Sequence, residues 1–410
     1  MKRMTRRTPI LALACSLLFF LSWSPGGLAQ EQSAEMETLN MALVGANTQF
    51  AFDLYGALHE DSGNLFFSPY SISSALAMAY AGASGETESQ MAEVLHFTQL
   101  QGAVHGAFGD LNADLVDRTE ETDGVQLSIA SALWGQTGYP FLDGYLDLLA
   151  AAYDAPMRSA DFAGAAEQAR IAVNDWVRDR TQGLIPELLA PDSITPATRL
   201  VLANAIYFLG TWEAPFDPLA TQTAPFTRLD GTDVAVPMMH LEAYFQYTEG
   251  PDFQAIELPY VGGQMAMTLV LPREGTFEAF TAGMTADWVD GMLAQMLPEK
   301  VFVSMPRFEL SSDFALADVL SSLGMSDAFS GAADFSGMDG TRSLFIDAVV
   351  HKAFVSVDEQ GTEAAGATGG MMTLSLPTSM SINRPFVFLI RDLETGAILF
   401  LGQVLDPSAE

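Results

Sequence analysis

The feature that most restricts how this chain folds is a run of small residues near its C-terminus. Between Asp358 and Met372 the sequence contains no Lys, Arg or Pro and no large rigid side chain. At the two-residue period of a β-strand, one face of the run carries only small residues, namely Thr362, Ala364, Gly366, Thr368 and Gly370. The single charge between Thr362 and Gly370, Glu363, falls on the opposite face. The pattern predicts a strand that can slide between two existing strands.

A flexible linker is the alternative interpretation of the same run. A linker would not normally lie between two strongly apolar strands so near the end of a chain. Nor would it normally follow the sequence of residues 358–363, which contains three acidic side chains. We therefore favour the inserting strand.

The length and composition of the chain indicate one large globular domain. Its 410 residues are 49% hydrophobic and 10% aromatic, which supplies enough apolar material for a large core. Composition does not change abruptly, and neither a short repeat nor a low-complexity linker divides the sequence. We predict a single domain over residues 30–410.

The first 29 residues have the pattern of an export signal. Basic residues come first, at Lys2, Arg3, Arg6 and Arg7. An apolar stretch follows over residues 10–23, and then the small residues Gly27 and Ala29. This order predicts a cleavable signal peptide over residues 1–29, cut near Ala29, and a secreted or periplasmic protein. A lipid anchor on Cys15 is the alternative, but it would require cleavage inside the apolar stretch. After cleavage near Ala29, the mature chain would contain no cysteine.

The charge of the chain excludes two classes of partner. The sequence holds 51 acidic and 18 basic residues, a formal charge of −33, and loss of the signal with its four basic residues lowers this to −37. Nucleic acid and anionic membranes would be repelled. Either a solvated acidic surface suited to an exported protein or a specific cationic partner explains the excess.

Hydrophobic periodicity predicts helices early in the chain and strands late. Helical spacing of apolar residues falls at residues 36–59, 69–81, 165–181 and 312–323, with Ser68 as the cap of the second helix and Pro69 in its first position. Strand patterns fall at residues 65–67, 127–134, 200–208, 385–390 and 396–402. The stretch 200–208 has almost no polar residue and should be a central strand. This distribution predicts the α+β class.

The sequence contains no recognisable catalytic centre. A catalytic serine needs a positioned base and an orienting acid, and the five histidines lie in no nucleophile-elbow context: His59, His96, His105, His240 and His351. There is no HExxH and no Gly-rich phosphate loop after a strand. We predict a protein that is not an enzyme and uses neither a metal nor a cofactor, with a hydrolase of unrecognised triad as the strongest rival.

Several longer motifs occur in a fixed order along the chain. They lie at residues 64–72, 174–177 with 181–183, 204–208 with 210–212, 237–239, 351–353 and 382–386. In this order, and with the small-residue run, they resemble the signatures of the serpins, the serine protease inhibitor family. The likeness covers essentially all of the mature chain, and we identify the protein as an exported member of bacterial type. Leu184 and Gln403 depart from residues that are common in the family.

The resemblance implies a fold and a mechanism. The fold is three β-sheets wrapped by eight or nine helices, with an exposed reactive loop at about residues 359–381. A serine protease attacks the loop as a substrate and forms an acyl-enzyme, and the cleaved loop then inserts as a central strand of the largest sheet. The implied protein is a monomeric suicide-substrate inhibitor that forms a covalent complex with its target. A non-inhibitory binding or carrier protein of the same fold is the alternative.

The resemblance also assigns two groups of residues. The hinge of the loop comprises Glu359, Gly361, Thr362, Glu363, Ala364, Ala365, Gly366, Ala367 and Thr368. The gate that must open for insertion comprises Ser68, Ser71, Asn204 and His351, with Trp212 at the top of the sheet where insertion begins. From spacing alone, Ser68 would be a helix cap, Asn204 a strand residue with a local bond and His351 a core histidine.

The reactive bond is assigned by counting along the loop. Counting back from Asn383 gives Leu374–Ser375, which we favour because an apolar residue before the bond fills a protease's primary pocket. Counting from the hinge gives Ser375–Leu376, and Met372–Thr373 is a third choice. Between Gln360 and Ser381 there is no Arg or Lys. This absence argues against trypsin-like targets and favours chymotrypsin-, elastase- or subtilisin-like proteases.

Overall fold

The computed structural model describes residues 25–59, 63–120, 122–153, 157–361 and 378–409. Within these ranges the helices, α1 to α10, are Pro25–Leu58, Pro69–Tyr80, Gly85–Val94, Gln101–Glu120, Asp143–Tyr153, Phe162–Arg180, Phe277–Thr281, Ala286–Leu293, Ala317–Ser322 and Ser336–Asp339. A short 3-10 helix spans Asp327–Phe329. No helix of the described residues is long and apolar enough to cross a membrane.

The strands, β1 to β14, alternate with these helices and dominate the second half of the chain. They are Leu65–Phe67, Val125–Gln136, Arg158–Ala160, Leu200–Gly210, Gln222–Thr227, Asp233–Glu249, Phe253–Pro259, Met265–Pro272, Leu297–Pro306, Phe308–Ala315, Ala348–Val357, Thr378–Ser381, Phe386–Asp392 and Ile398–Val404. Residues 39–410 form one compact unit, and the residues before Leu39 belong to a separate unit, whose described residues form the first part of α1.

Five strands form a sheet in the order β10-β11-β4-β2-β3. Its middle strand, β4, is buried at ten of its eleven positions, as a strand covered on both faces must be. It runs antiparallel to β2 but parallel to β11, with Asn204 opposite His351 in the register. The prediction of a central strand at residues 200–208 is therefore confirmed.

The other nine strands form one hydrogen-bonded set, in the order β1-β14-β13-β8-β7-β6-β9-β12, with β5 paired to β6. The long strand β6 pairs with β9 from Met238 to Tyr247 and with β7 over its last four residues. Dividing the set at β6 gives one sheet of β5, β6, β9 and β12 and another of β7, β8, β13, β14 and β1. Together with the five-stranded sheet these make three β-sheets, as expected.

Helix α2 lies in the core between these sheets. All of its twelve residues are buried, and it packs against β2, β4 and β14. The helix begins where the sequence predicts: the Ser68 hydroxyl accepts a hydrogen bond from the Ser71 N–H at 3.1 Å, and Pro69 occupies the first position. This cap fixes Ser68 and Ser71 beside the five-stranded sheet.

The prediction of one long helix over residues 312–323 is wrong in its first part. Residues up to Ala315 belong to β10, and only Ala317–Ser322 is helical, as α9. Along β10 buried and exposed side chains alternate at the strand period, and the strand pairs with β11 over its own whole length, from Phe308 to Ala315. Pairing with β11 thus overrides a weak helical pattern. The described helices number ten rather than eight or nine, because they include α7 and α10, of five and four residues.

Candidate functional site

Asn204, in the middle of β4, holds three elements together. Its Nδ2 amide donates to the Ser71 carbonyl at 3.0 Å and lies 2.6 Å from the Ser71 hydroxyl, both on α2. The same amide lies 2.6 Å from the hydroxyl of Ser131 on β2. Asn204 is only 1% exposed, so water does not compete for these bonds.

His351 joins this network from the neighbouring strand β11. Its Nε2 accepts from the Ser68 N–H at 3.1 Å, so the proton of the neutral ring is on Nδ1, which donates to Asn204 Oδ1 at 2.5 Å. Burial lowers the pKa of His351 to about 3. The histidine is therefore neutral over the physiological range and holds both bonds.

The gate thus lies across the junction of β4 and β11. The structure brings Ser68, Ser71, Asn204 and His351 into one connected network, as the sequence analysis grouped them. A strand that entered between β4 and β11 would have to break the bond between Asn204 and His351. Sequence reasoning missed a fifth member, Ser131, because its place opposite Asn204 follows only from the register of β2 against β4.

Beyond the end of β11 the chain turns back on itself over residues 358–361, which we call the hinge turn. The Asp358 N–H donates to the Gly361 carbonyl at 2.9 Å, and the Gln360 N–H donates to the Asp358 carboxylate at 2.8 Å. Gly361 then forms an antiparallel bridge with Thr211, just beyond β4. The chain therefore leaves β11 and returns beside β4 in the opposite direction.

Glycine is the only residue type that fits position 361 in the hinge turn. Its φ is +127°, in the region that favours glycine. A Cβ added there would lie 2.0 Å from the carbonyl oxygen of Gly210 and 2.7 Å from the Cα of Thr211. The small residue at this hinge position is thus explained by a close approach of two backbone segments.

Trp212 holds the hinge turn to the sheet. Its N–H donates to the Gln360 carbonyl at 2.9 Å and its indole Nε1 donates to the Asp358 carbonyl at 3.0 Å. The indole is 1% exposed and stacks on Tyr260, with 4.6 Å between ring centroids. Trp212 lies eight residues beyond Asn204, about 26 Å along a strand. It therefore belongs to the hinge turn and is separate from the hydrogen-bonded gate.

Glu359, at the tip of the hinge turn, is buried and paired. Its side chain is 4% exposed and contacts the Arg307 guanidinium and the Thr221 hydroxyl, while its carbonyl accepts from the Phe216 N–H at 2.8 Å. Burial opposes ionisation of this carboxyl, but Arg307 and Thr221 outweigh it and hold the pKa below its usual value. Nothing in the sequence pointed to Arg307, which lies between β9 and β10.

The rest of the hinge and the reactive bond lie outside the described residues. These are Thr362, Glu363, Ala364, Ala365, Gly366, Ala367, Thr368, Leu374, Ser375 and Leu376. The next described residues form β12, whose four residues pair in parallel with β9 from Thr378 to Ser381. Gly361 and Thr378 thus anchor the two ends of the loop on different sheets.

The described side chains also bear on the rival enzyme interpretation. One serine–histidine pair occurs, with 2.8 Å between His240 Nδ1 and the Ser304 hydroxyl. No carboxylate among the described residues hydrogen-bonds the His240 ring, so the pair lacks the acid of a triad. Over the same ranges, no group of three or more His, Asp or Glu side chains could hold a metal ion.

A model of the serpin (serine protease inhibitor) family matches residues 45–407. This chain belongs to the serpin family. Human leukocyte elastase inhibitor is 40% identical over 383 residues, covering 89% of this serpin and 99% of that protein. An uncharacterized serpin-like protein from Thermococcus kodakarensis is 39% identical over 371 residues, covering 89% of this serpin and 86% of that protein.

Solved structures agree with the fold of this serpin. Uncleaved ovalbumin superposes with a TM-score of 0.81 at 30% identity, covering 89% of this chain and all of that one. Human thyroxine-binding globulin superposes with a TM-score of 0.82 at 29% identity, covering 90% of this chain and all of that one. The relatives include archaeal and mammalian proteins, so they give no support to the narrower expectation of an exported serpin of bacterial type.

Proposed function

We propose that this serpin is a suicide-substrate inhibitor of serine endopeptidases of chymotrypsin, elastase or subtilisin preference. The observation that carries the proposal is the hinge turn, in which Gly361 already lies antiparallel to Thr211 beside the end of β4. In the sequence, the run of small residues from Thr362 begins directly after Gly361.

The pairing of the five-stranded sheet favours insertion at one place. β4 and β11 are parallel neighbours. A strand that follows β11 through the hinge turn runs antiparallel to β11, and therefore also to β4. Its entry between them replaces one parallel ladder by two antiparallel ladders, and antiparallel pairing is slightly more stable per residue. Insertion is thus downhill once the loop is free to move.

The uncleaved loop is held back by its second anchor. β12 pairs with β9 on a different sheet, so the loop cannot enter the five-stranded sheet fully while residues 374 and 375 remain joined. The 13 residues from Thr362 to Leu374 span roughly 43 Å as a strand. A compact domain of this size is roughly 50 Å across. Insertion after cleavage would carry an attached protease most of the way across the molecule.

The chemistry belongs to the attacking protease. Its serine oxygen adds to the Leu374 carbonyl carbon, the C–N bond to Ser375 breaks, and the new amino group takes a proton from the protease's histidine. The resulting ester would normally be hydrolysed by water. Insertion of the loop removes the protease from its working geometry before hydrolysis occurs. In this mechanism the serpin supplies neither a catalytic residue nor a cofactor.

Two observations favour chymotrypsin-, elastase- or subtilisin-like proteases as targets. Mammalian relatives at about 40% identity are named leukocyte elastase inhibitors. The loop of this serpin carries apolar and small residues and lacks Arg and Lys between Gln360 and Ser381. We further propose that the serpin acts as a monomer outside the cytoplasm after removal of residues 1–29.

The proposal is tested by incubation with subtilisin, chymotrypsin and elastase, with trypsin as the control. We expect an equimolar complex that survives SDS with at least one of the first three. Mass spectrometry of the released C-terminal peptide should give Ser375 as its first residue. Leu376 or Thr373 at that position would move the reactive bond to one of the two alternatives.

A binding or carrier protein of the same fold is the second candidate. The likeness to thyroxine-binding globulin, whose structure was solved in complex with thyroxine, supports it. Complete cleavage of the loop by every protease tested, without a stable complex, would favour this candidate over the inhibitor.

A further inference from the structure

A cavity lies beside the connection from β12 to β13, which follows the reactive loop in the sequence. Its walls are the turn between β5 and β6, the loop between β8 and α7 with the start of α7, and the connection from β12 to β13. The cavity measures about 310 Å³, within the size range of small-molecule sites. Backbone bonds tie its walls together: the Thr227 N–H donates to the Asn383 carbonyl at 2.8 Å.

Three arginines line this cavity: Arg228, Arg273 and Arg384. They belong to a chain with only 18 basic residues and a formal charge of −33. The lining also contains two acidic residues, Glu274 and Glu278. Three of the few basic residues of a strongly acidic chain thus lie around one cavity.

The three guanidinium groups are in different states. Arg228 is neutralised by Asp406, at 2.5 Å. Arg384 donates through Nε to the Pro272 carbonyl at 3.0 Å and through Nη1 to the Asn383 side chain at 3.3 Å. Its Nη2 has no hydrogen-bond acceptor among the described residues. Arg273 is exposed, and over the same ranges its side chain has neither an ion pair nor a hydrogen bond.

Arg384 also lies in a partly desolvated position. Burial lowers the pKa of its guanidinium, and the carboxylate of Glu274 acts in the opposite direction. A bound anion would replace the hydration that this charge has lost. Beside the charges, the cavity presents apolar surface from Leu229, Phe277 and Pro385.

We propose that this cavity binds a small organic anion, a carboxylate or a phosphate monoester on a single ring or short chain. Its charge would lie against Arg273 and Arg384 and its apolar part against Leu229 and Phe277. Because the connection from β12 to β13 forms one wall, such a ligand would also brace the C-terminal anchor of the reactive loop. This site is independent of the inhibitory function and would remain if the serpin proved non-inhibitory.

The direct test is titration calorimetry of the mature protein with phenyl phosphate and with benzoate. Benzyl alcohol serves as the neutral analogue and inorganic phosphate as the charge alone. We expect one site with a Kd of about 1 mM or tighter for at least one aromatic anion, and weaker binding of both controls. The proposal would be overturned if benzyl alcohol bound as tightly as the anions. It would also be overturned if neither anion bound at concentrations up to 10 times that Kd.

Substitutions separate this cavity from non-specific attraction. Arg273→Gln should weaken binding about tenfold or more, since a charge-assisted hydrogen bond is lost. Its melting temperature and protease inhibition should stay unchanged. Arg178→Gln, at an exposed arginine on α6 paired with Asp175, is the matched control and should leave binding as it is.

A variant that is expected to bind the anion more tightly is also needed, because a misfolded variant would only lose binding. Glu274→Gln removes the carboxylate that acts on Arg384 and should strengthen anion binding about threefold or more. Equal affinities for the wild type and Arg273→Gln, or equal weakening by Arg178→Gln, would show that the cavity is not the site.

Discussion

Gly361 and Thr211 form an antiparallel bridge in which the two backbones approach too closely for any side chain at position 361. The hinge turn has therefore completed the reversal of direction that an inserting strand needs. Trp212 fixes this geometry through its hydrogen bonds to the carbonyls of Asp358 and Gln360. Under the proposed mechanism, insertion would begin at the end of the sheet where β11 leads into the hinge turn.

The first prediction concerns this contact. Gly361→Ala would place a Cβ 2.0 Å from the Gly210 carbonyl oxygen at a φ of +127°, so the hinge turn must move away from β4. We expect insertion to slow, and the number of inhibitor molecules cleaved per protease trapped to rise several-fold. Titration of residual protease activity measures this number.

Gly340→Ala is the matched control for that variant. Gly340 also has a positive φ, +77°, but nothing lies within 4 Å of its added Cβ. The control should lose roughly 1 kcal/mol of stability through the backbone conformation alone. If the number of inhibitor molecules cleaved per protease trapped is unchanged in Gly361→Ala, or rises equally in Gly340→Ala, the bridge between Gly361 and Thr211 has no role in insertion.

The second prediction tests the phase of the inserting strand. Thr362→Arg places a charge on the face that would enter the core, where burial without a partner costs several kcal/mol. The variant should become a substrate that is cleaved without forming a complex stable in SDS. Glu363→Arg puts the same side chain on the opposite face and should still inhibit. If the two variants behave alike, the assignment of faces is wrong.

The third prediction concerns the gate. Asn204→Ala removes the partner of His351 Nδ1 and the bonds to Ser71, leaving buried polar groups unpaired at roughly 1–3 kcal/mol each. The variant should melt at a lower temperature and take up a synthetic peptide of residues 362–374 faster. Asn174→Ala also removes a buried asparagine, which bonds the backbone of Leu188 and Leu189 away from the gate. It should lower the melting temperature without speeding peptide uptake.

The fourth prediction is a pH dependence. The folded-state pKa of His351, about 3, lies below the unfolded value of about 6.5. Between these values the unfolded chain binds the extra proton, so the histidine's contribution to stability is lost as the pH falls. The loss is about 1.4 kcal/mol per pH unit. Urea unfolding at several pH values should show a shallower dependence in His351→Gln than in the wild type.

His105→Gln is the control for that measurement. Burial also lowers the pKa of His105, to about 4, and its ring bonds the Tyr153 hydroxyl at 2.7 Å, remote from the gate. Both variants should flatten the pH dependence of unfolding. Only the change at His351 should alter the rate of peptide uptake. An unchanged pH dependence in His351→Gln would mean that the ring is not held neutral.

Much of the fold could be predicted from local pattern. Residues 200–208 are almost wholly apolar, which identifies a strand covered on both faces, and Ser68 with Pro69 identifies a helix start. The small residues that share one face predict the hinge, of which the described ranges include only Glu359 and Gly361. Residues 312–315 were assigned to a helix because a few apolar residues recur at both periods, and the pairing of β10 with β11 decides the strand.

Other parts of the site depend on contacts that sequence does not encode locally. Ser131 enters the gate through the register of β2 against β4. Arg307 reaches Glu359 across a separation of 52 residues. The hydrogen bonds from Trp212 to the carbonyls of Asp358 and Gln360 likewise follow only from the return of the chain beside the end of β4.

The central claim is that the uncleaved loop is kept out of its preferred place, and melting of the nicked protein tests it most directly. Limited proteolysis between Met371 and Leu376 should free the loop, add a central strand and form roughly ten new backbone hydrogen bonds at about 1 kcal/mol each. We expect the melting temperature to rise by about 10 °C or more. A cut in an ordinary surface loop leaves stability unchanged or lowers it. A melting temperature equal to or below that of the intact chain would contradict the insertion mechanism, even though the fold is that of a serpin.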